Sequence, residues 1–573
     1  MRPPLQSLGL LPFTLLVWNP LGLAAEPIIH RPQFEQPEVF LDFAKLTEQK
    51  ATSVFEFGIE FPNRHKQAEI REESIRQVEA DRLLQQGISQ FRVSQFREAL
   101  RLWQAALEIY QEIDDRQGEA KTLNMVGGAL ISLGQFQDAI EFLQQSLEIA
   151  REIGDRDEEG NASINLGSAY YSLGQYQQSI DLYSQQLNIT REISDRLGEA
   201  AALGGLGNSY YSLGKFQQAI NLYEQKLAIT REIGDRLGES KALGGLGIAN
   251  DSLGRYRQAI KYHEQQLTIT REIGDRAGEG NALGNLGNAY LNLGKYQQAI
   301  DLYEQNVAIT REIGDRAGEG TVLGNLGITY RNLAQYQRAI DLHKQSLTIT
   351  REIGDRAGEG VALRNLGVAY KNLGQYQQAI NLYEQHLGIT QEIGDRAGEG
   401  DALGNLGIVY DNLGRYKQAI DYHEQHLAIS REIGDRAGEG AALGNLGGTY
   451  SNLGQYQHAI DLYQQDLAIT REIGNRAGEG AALGNLGIVY DNLARYKQAI
   501  NYHEQHLAIA REIGDRAGEG VALGNLGGTY RNLGQYQQAI NLHEQHLAIT
   551  REIGNRAGEG VALGNLGSKL IGI

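Results

Sequence analysis

The chain has 573 residues, 41% of them apolar, with 71 glycines, 8 prolines, no cysteine and a formal net charge of −18. That apolar content supports a large core and argues against wholesale disorder. The acidity argues against nucleic acid or an anionic membrane surface as the main partner, and the missing thiols exclude disulfides, thiolate zinc sites and a cysteine nucleophile.

The chain opens with MRPPLQSLGLLPFTLLVWNPLGLAA, one arginine followed by an apolar run that prolines break and that is short for a spanning helix. Small residues Gly22 and Ala24 suit a cleavage site near Ala24 or Ala25. Residues 1–25 are therefore expected to be a signal peptide, which implies a periplasmic or extracellular protein; without a working signal the protein is cytoplasmic. No other segment reads as a membrane span, so no membrane contact beyond export is expected. Residues 26–66 stand apart. EPIIHRPQFEQPEVF is proline-spaced and predicts extended chain. TSVFEFGIEF alternates, with Phe55, Phe57, Ile59 and Phe61 on one side, as in a short strand or a docking segment. Residues 67–83 predict a polar helix that caps the first repeat.

Residues 84–563 hold one unit copied twelve times in a 40-residue frame. REIGDRAGEG starts at Arg271, Arg311, Arg351, Arg431 and Arg511, with close variants at Arg191, Arg231, Gln391, Arg471 and Arg551. One glycine marks the frame from Gly87 and Gly127 through Gly287 to Gly527 and Gly567. Residues 564–573 begin a thirteenth unit and do not finish it. Each unit predicts two helices. In the copy at 275–314, Asp275 is a candidate N-cap and Glu279 lies in the favourable first turn. Helix A runs to about Leu293, where Gly294 can take the left-handed stop. Helix B places Tyr296, Ala299, Ile300, Tyr303, Val307 and Ile313 near one face, and Gly314 ends it. A lone pair cannot hide its apolar face, so the pairs must stack.

Leu286, Gly287 and Tyr290, then Ala299 and Tyr303, fall where the consensus of the tetratricopeptide repeat (TPR) expects them. The resemblance covers roughly residues 80–565. It implies an all-α, right-handed superhelical solenoid of about twelve helix-turn-helix repeats that acts as a non-enzymatic scaffold for protein–protein contacts. The repeat length departs from the family's usual form: an extended helix B and REIGDRAGEG replace the closing proline. That longer form is similar to the arrays of Pins-type regulators, of kinesin light chains and of bacterial TPR proteins that carry a CHAT-type peptidase, although neither that domain nor the G-protein-binding motifs of Pins-type proteins follow here.

The resemblance also implies that the A helices line a groove that takes extended peptide segments. The stripe Asn281, Asn285, Asn288 and Asn292 lies on that helix, opposite the leucines. The site of Asn285 is Asn again at Asn165, Asn325, Asn365, Asn405, Asn445, Asn485 and Asn525, and that of Asn292 at Asn332, Asn372, Asn412, Asn452, Asn492 and Asn532. An amide can bond a peptide backbone of any sequence, whereas asparagine inside a helix has no local advantage. These two columns are the expected peptide-binding residues. A helix-end turn could alone favour the Asn292 column. The rival reading is a self-associating structural protein that stacks, and so forms a homo-oligomer, through its last repeat.

No cofactor, metal or catalytic residue is expected. HEQH places His423/His426, His503/His506 and His543/His546 at i, i+3, but the first site alternates with Tyr303, Tyr383 and Tyr463, as a half-buried aromatic position would. GEGxALGNLG has the wrong glycine spacing for a dinucleotide fingerprint and no strand before it. Every candidate acid or base recurs with the repeat, whereas catalysis needs one place. In REIGDR, Glu272 and Arg276 stand at i, i+4 but across the break at Gly274, and read as solvated inter-repeat surface.

Overall fold

A computed structural model describes residues 64–567, which contain 25 helices and no strand. The signal peptide expected at 1–25, most of the segment expected at 26–66, with its strand, and the last residues of the unfinished repeat lie outside the described residues. The helix expected to cap the array at 67–83 is not a separate element. One helix of 29 residues runs Arg64–Arg92 and packs on Phe96–Glu112 as the first member of a pair. Gly87, four residues on, stays within the helix, and no proline stops it.

The remaining helices alternate in the predicted frame. In the copy that begins at Asp275, helix A is Arg276–Asn292 and helix B is Tyr296–Glu312. Asp275 caps helix A, its Oδ1 accepting from the Gly278 amide at 2.8 Å. Gly294 and Gly314 take φ of +70° and +74°, so both turns use the left-handed conformation that a glycine adopts without strain. The A-to-B turn is closed by Gly294 N to Leu291 O and Lys295 N to Tyr290 O, each 2.9 Å.

The pair buries Leu283, Leu286 and Ala289 of helix A against Ala299, Ile300 and Tyr303 of helix B. Ile313, expected on that face, is instead exposed at the helix end. The frame glycine lets the helices meet: a Cβ on Gly287 would lie 2.6 Å from the Tyr303 ring. The same glycine faces Trp103, Tyr183, Tyr223, His263, His343, Tyr383, His423, Tyr463, His503 or His543 in other pairs. The first histidine of HEQH is therefore a fully buried pillar rather than a half-buried one, since the missing Cβ opens a slot for the whole ring.

A ladder of ion pairs fastens one pair to the next. Arg271 Nε, at the end of a B helix, donates to Glu279 Oε1 of the following A helix at 2.7 Å. Arg276 holds the other oxygen of Glu279 and also Glu312 on its own B helix. Arg276 does not pair with Glu272, which instead bonds Arg236. The motif is thus not a row of loose i, i+4 pairs: Glu279 is only 6% exposed, and a twice-held buried carboxylate matters more than an exposed pair.

The pairs fall into two compact units that divide between Ile313 and Gly314. Within each unit, helix B packs on the next helix A, and successive A helices touch, as 196–212 does with 236–252 and 476–492 with 516–532. No two successive B helices among the described residues do so to the same extent. The A helices therefore occupy the more closely spaced side of each stack.

Candidate binding face of the A helices

The two asparagine columns lie on this closely spaced side. The Asn285 column faces the seam with the preceding pair. At two copies it holds Gly205 and Gly245, where a Cβ would run into the ring of Tyr183 or lie 2.9 Å from that of Tyr223, both on the preceding B helix. Close approach of neighbouring A helices accordingly buries Asn165, Asn365 and Asn485 to 3%, 7% and 8% exposure, while Asn285, Asn325, Asn405, Asn445 and Asn525 are half-buried. Sequence periodicity placed the column opposite the leucines of its own helix; it could not show that the neighbouring helix covers part of it.

Some of these amides are used within the protein. Asn165 Nδ2 donates to Asn124 Oδ1 on the preceding A helix at 2.7 Å, and Asn405 Nδ2 to its own helix at Asp401 O, 2.9 Å. Asn285, Asn445 and Asn525 make no side-chain hydrogen bond among the described residues. The second column stands at the C-terminal ends of the A helices. Asn292, Asn372 and Asn412 are half-buried, whereas Asn332, Asn452, Asn492 and Asn532 are exposed. Asn452 Nδ2 donates to Asp411 Oδ2 of the preceding A helix at 2.8 Å.

Two further positions on this face have roles that sequence reasoning missed. One follows the frame glycine. Tyr303 Oη donates to Asn288 Oδ1 at 2.6 Å, and Tyr223 Oη to Asn208 Oδ1 at 2.7 Å. Asn288, part of the original stripe, thus tethers a pillar tyrosine. The other lies four residues after the frame glycine and overhangs the pillar. His263 Nε2 is 3.3 Å from Asp251 Oδ2, and His503 Nε2 is 3.4 Å from Asp491 Oδ2. Asp491 also accepts from Thr529 Oγ1 of the next A helix at 2.6 Å. The same place holds Arg331 and Lys371. The signal was present in the 40-residue spacing, but its meaning depends on what each side chain overhangs.

The paired histidines point inward. His426 Nδ1 would lie 2.9 Å from a Cβ on Gly404, and His506 Nδ1 at the same distance from one on Gly484. Burial pushes the imidazole of His423 down to about 3 and those of His386 and His506 down to about 4. Among the described residues no three histidine or carboxylate side chains converge as metal ligands would, and no helix is long and apolar enough to cross a membrane.

A family model described as tetratricopeptide repeat matches residues 79–152, 158–232, 278–352, 358–432 and 438–512, and a second with that description matches 242–277 and 522–557. No curated protein matches the chain. Solved structures do. BtubC (BKLC) from P. vanneervenii is 23% identical over 38% of this chain and 92% of its own, with a TM-score of 0.34. The apo form of RapI is 14% identical over 48% and 99%, with a TM-score of 0.40. A kinesin light chain from Podospora anserina, with nearly identical TPR-like repeats, is 24% identical over 34% and 95%, with a TM-score of 0.31.

Proposed function

Since this chain belongs to the tetratricopeptide repeat family, whose arrays are protein–protein interaction scaffolds, we propose that it binds extended peptide segments across its A helices and catalyses no reaction. The observation that carries this reading is the amide face itself. Asn285, Asn445 and Asn525 are half-buried at equivalent places on their A helices and leave their donors and acceptors unused among the described residues. Such groups are costly in a helix and gain nothing from the fold, but they suit a backbone laid across them. The Asn292 column extends the same face toward the helix ends, where it is more open. We also assign residues 1–25 to an export signal on their arginine, apolar run and small residues; N-terminal sequencing of the protein from its own cells should begin near Ala25 or Glu26.

Photo-crosslinking tests the binding face. A crosslinking residue at Asn412, Asn452 or Asn492 should capture members of a random peptide pool, and one at Glu424 or Gln465 on the exposed faces of B helices should not. Equal capture from both sides would overturn the reading.

A further inference from the structure

Asp466, on the B helix Tyr456–Glu472, is 8% exposed and pairs with no cation and no hydrogen-bond donor among the described residues. Its place holds Lys226, Gln266, Asn306, Ser346 or His426 in sister pairs, and a carboxylate in none of them. Those side chains can donate: Ser346 Oγ gives its proton to Gly320 O of its own A helix at 2.8 Å. An ionised carboxylate only accepts, so Asp466 cannot make the matching bond to Gly440 O. The place therefore brings acceptors together without a donor, a cost that a bound donor would remove.

The carboxylate points at a furrow in the A helix Arg436–Asn452. Asp466 Oδ1 lies 3.1 Å from where a Cβ on Gly440 would stand, and Oδ2 lies 3.1 Å from that of Gly444. One turn on, a Cβ on Gly448 would lie 3.6 Å from Tyr463 Oη, and Gly448 stands where Asn288 accepts from Tyr303. These glycines fall on successive turns, so the missing side chains leave a channel about 12 Å long, half-buried at Gly444 and Gly448. Asp411 of the preceding A helix adds a second acid, its Oδ1 buried without a partner. Burial and then the charges of Asp466 and Asp411 hold the Tyr463 phenol well above its usual range. The helix Arg516–Asn532 carries the same three glycines, but the side chain against Gly520 and Gly524 is His546.

We propose that Asp466, reached through the furrow over Gly440, Gly444 and Gly448, is a receptor for a lysine side chain of a bound protein segment. The assignment rests on the A-helix binding face and adds to it a chemical preference at one place. An ammonium carries three donors and no acceptor, which complements Asp466 and Gly440 O. Its unbranched stem suits a furrow cut by missing Cβ atoms alone. Sister pairs set a neutral or basic group in this place, so the receptor fixes where along the array a lysine comes to rest.

Calorimetry on the full chain tests this with two twelve-residue probes, an alternating Lys/Gly peptide and its Nε-acetyl-lysine/Gly counterpart. Physiological salt screens the general attraction of an acidic protein for a basic peptide. The Lys peptide should bind at least tenfold more tightly. That advantage should fall at least fivefold in Asp466→Asn and at least threefold in Gly444→Ala, whose methyl enters the furrow. It should survive Asp461→Asn, which removes one exposed charge from the same helix. Sister pairs form with Asn306 in the place of Asp466 and with Ile164 in that of Gly444, so circular dichroism should show all three variants as helical as the parent. Butylamine, the same cation without a backbone, should bind at least a hundredfold more weakly than the Lys peptide; equal affinity would overturn a peptide-borne lysine. Equal affinities for the two peptides, an advantage that either of the first two variants leaves untouched, or one that Asp461→Asn lowers as much, would overturn the receptor while leaving the binding face standing. Binding of neither peptide would overturn both.

Discussion

Glu279 receives Arg271 from the preceding B helix and Arg276 from its own helix, so one carboxylate joins two pairs. The two guanidiniums hold its carboxyl below the usual range against the opposing effect of burial. Two copies depart from this: Gln111 fills the place in the first pairs, its Nε2 donating to Glu119 Oε1 at 3.0 Å, and the second lies deep in the array. Gln391 stands where Arg271 does, and its Nε2 donates to Glu399 Oε1 at 3.0 Å without a charge.

Gln391→Arg should therefore stabilise the array. The position is exposed, so the gain should be about 0.2–1 kcal/mol. Thermal melts at low salt should show a small rise that shrinks in half-molar salt as screening sets in. An increase that salt leaves unchanged would point to side-chain packing instead of charge.

Adjacent glycines in the helix Arg516–Asn532 should respond in opposite directions. A Cβ on Gly527 would lie 2.6 Å from His543 Cε1, while one on Gly528 meets nothing within 4 Å. Gly527→Ala should destabilise by roughly 1–3 kcal/mol through overpacking. Gly528→Ala should stabilise by about 0.5–1 kcal/mol, because alanine loses less entropy in a helix. Ala494 presents the converse case, holding φ of +54° in a turn where most other copies have glycine. Ala494→Gly should raise stability by about 1 kcal/mol. Denaturation midpoints of the three variants check all three signs.

Helix ends were legible because their signals are local. Asp275, Gly294 and Gly314 each act within a few residues, and the frame repeats them. The pillar site was legible as aromatic from the Tyr/His exchange at Tyr303 and His423. What escaped was whatever depends on a neighbour: Arg276 finds Glu312 rather than Glu272, Tyr303 finds Asn288, and the Asn285 column meets the preceding pair. A helical wheel fixes direction about one axis only. It cannot say which second helix stands there.

The two units should answer mild acid differently. In the unit after Gly314, His343 and His423 are pushed down to about 3, and His386 and His506 to about 4, all chiefly by burial. Unfolded histidine titrates near 6.5, so the unfolded chain binds more protons below that pH and stability falls as pH drops from about 6.5 toward 4. Each costs about 2 kcal/mol by pH 5. Asp466, pushed up to about 7, and Asp411, raised, both by burial, work in the opposite sense, but burial also lowers His426 and His546, so two carboxylates stand against six histidines. In the unit before Gly314, Glu158 is pushed up to about 7 and Asp251 is raised, again by burial. Glu158 makes that unit more stable as pH falls from about 7, and the raised Asp251 acts in the same sense. Hydrogen exchange at pH 7 and pH 5, corrected for intrinsic rates, should show protection lost in helices 376–393 and 496–513 and kept in 156–172. Uniform loss would mean that the buried histidines do not set the acid response.

The asparagines offer the decisive contrast between affinity and stability. Changing Asn405, Asn445, Asn485 and Asn525 together to Ala removes four amides from successive A helices. If each bonds a ligand backbone, each contributes about 0.5–1.5 kcal/mol, and a peptide selected on the parent should bind the variant at least about thirtyfold more weakly. Stability should hold or rise. Alanine is the better helix former, Asn445 and Asn525 have no internal partner to lose among the described residues, and Asn405 loses only a bond to its own helix. Asn485, at 8% exposure, is the member whose loss would leave a gap at the seam. The single variants therefore divide the question. Asn485→Ala alone should lower the melting temperature slightly, whereas Asn445→Ala and Asn525→Ala should weaken the peptide without lowering it. A quadruple variant that melts far below its parent, with Asn445→Ala and Asn525→Ala sharing the loss, would make the column structural and remove it from the binding face.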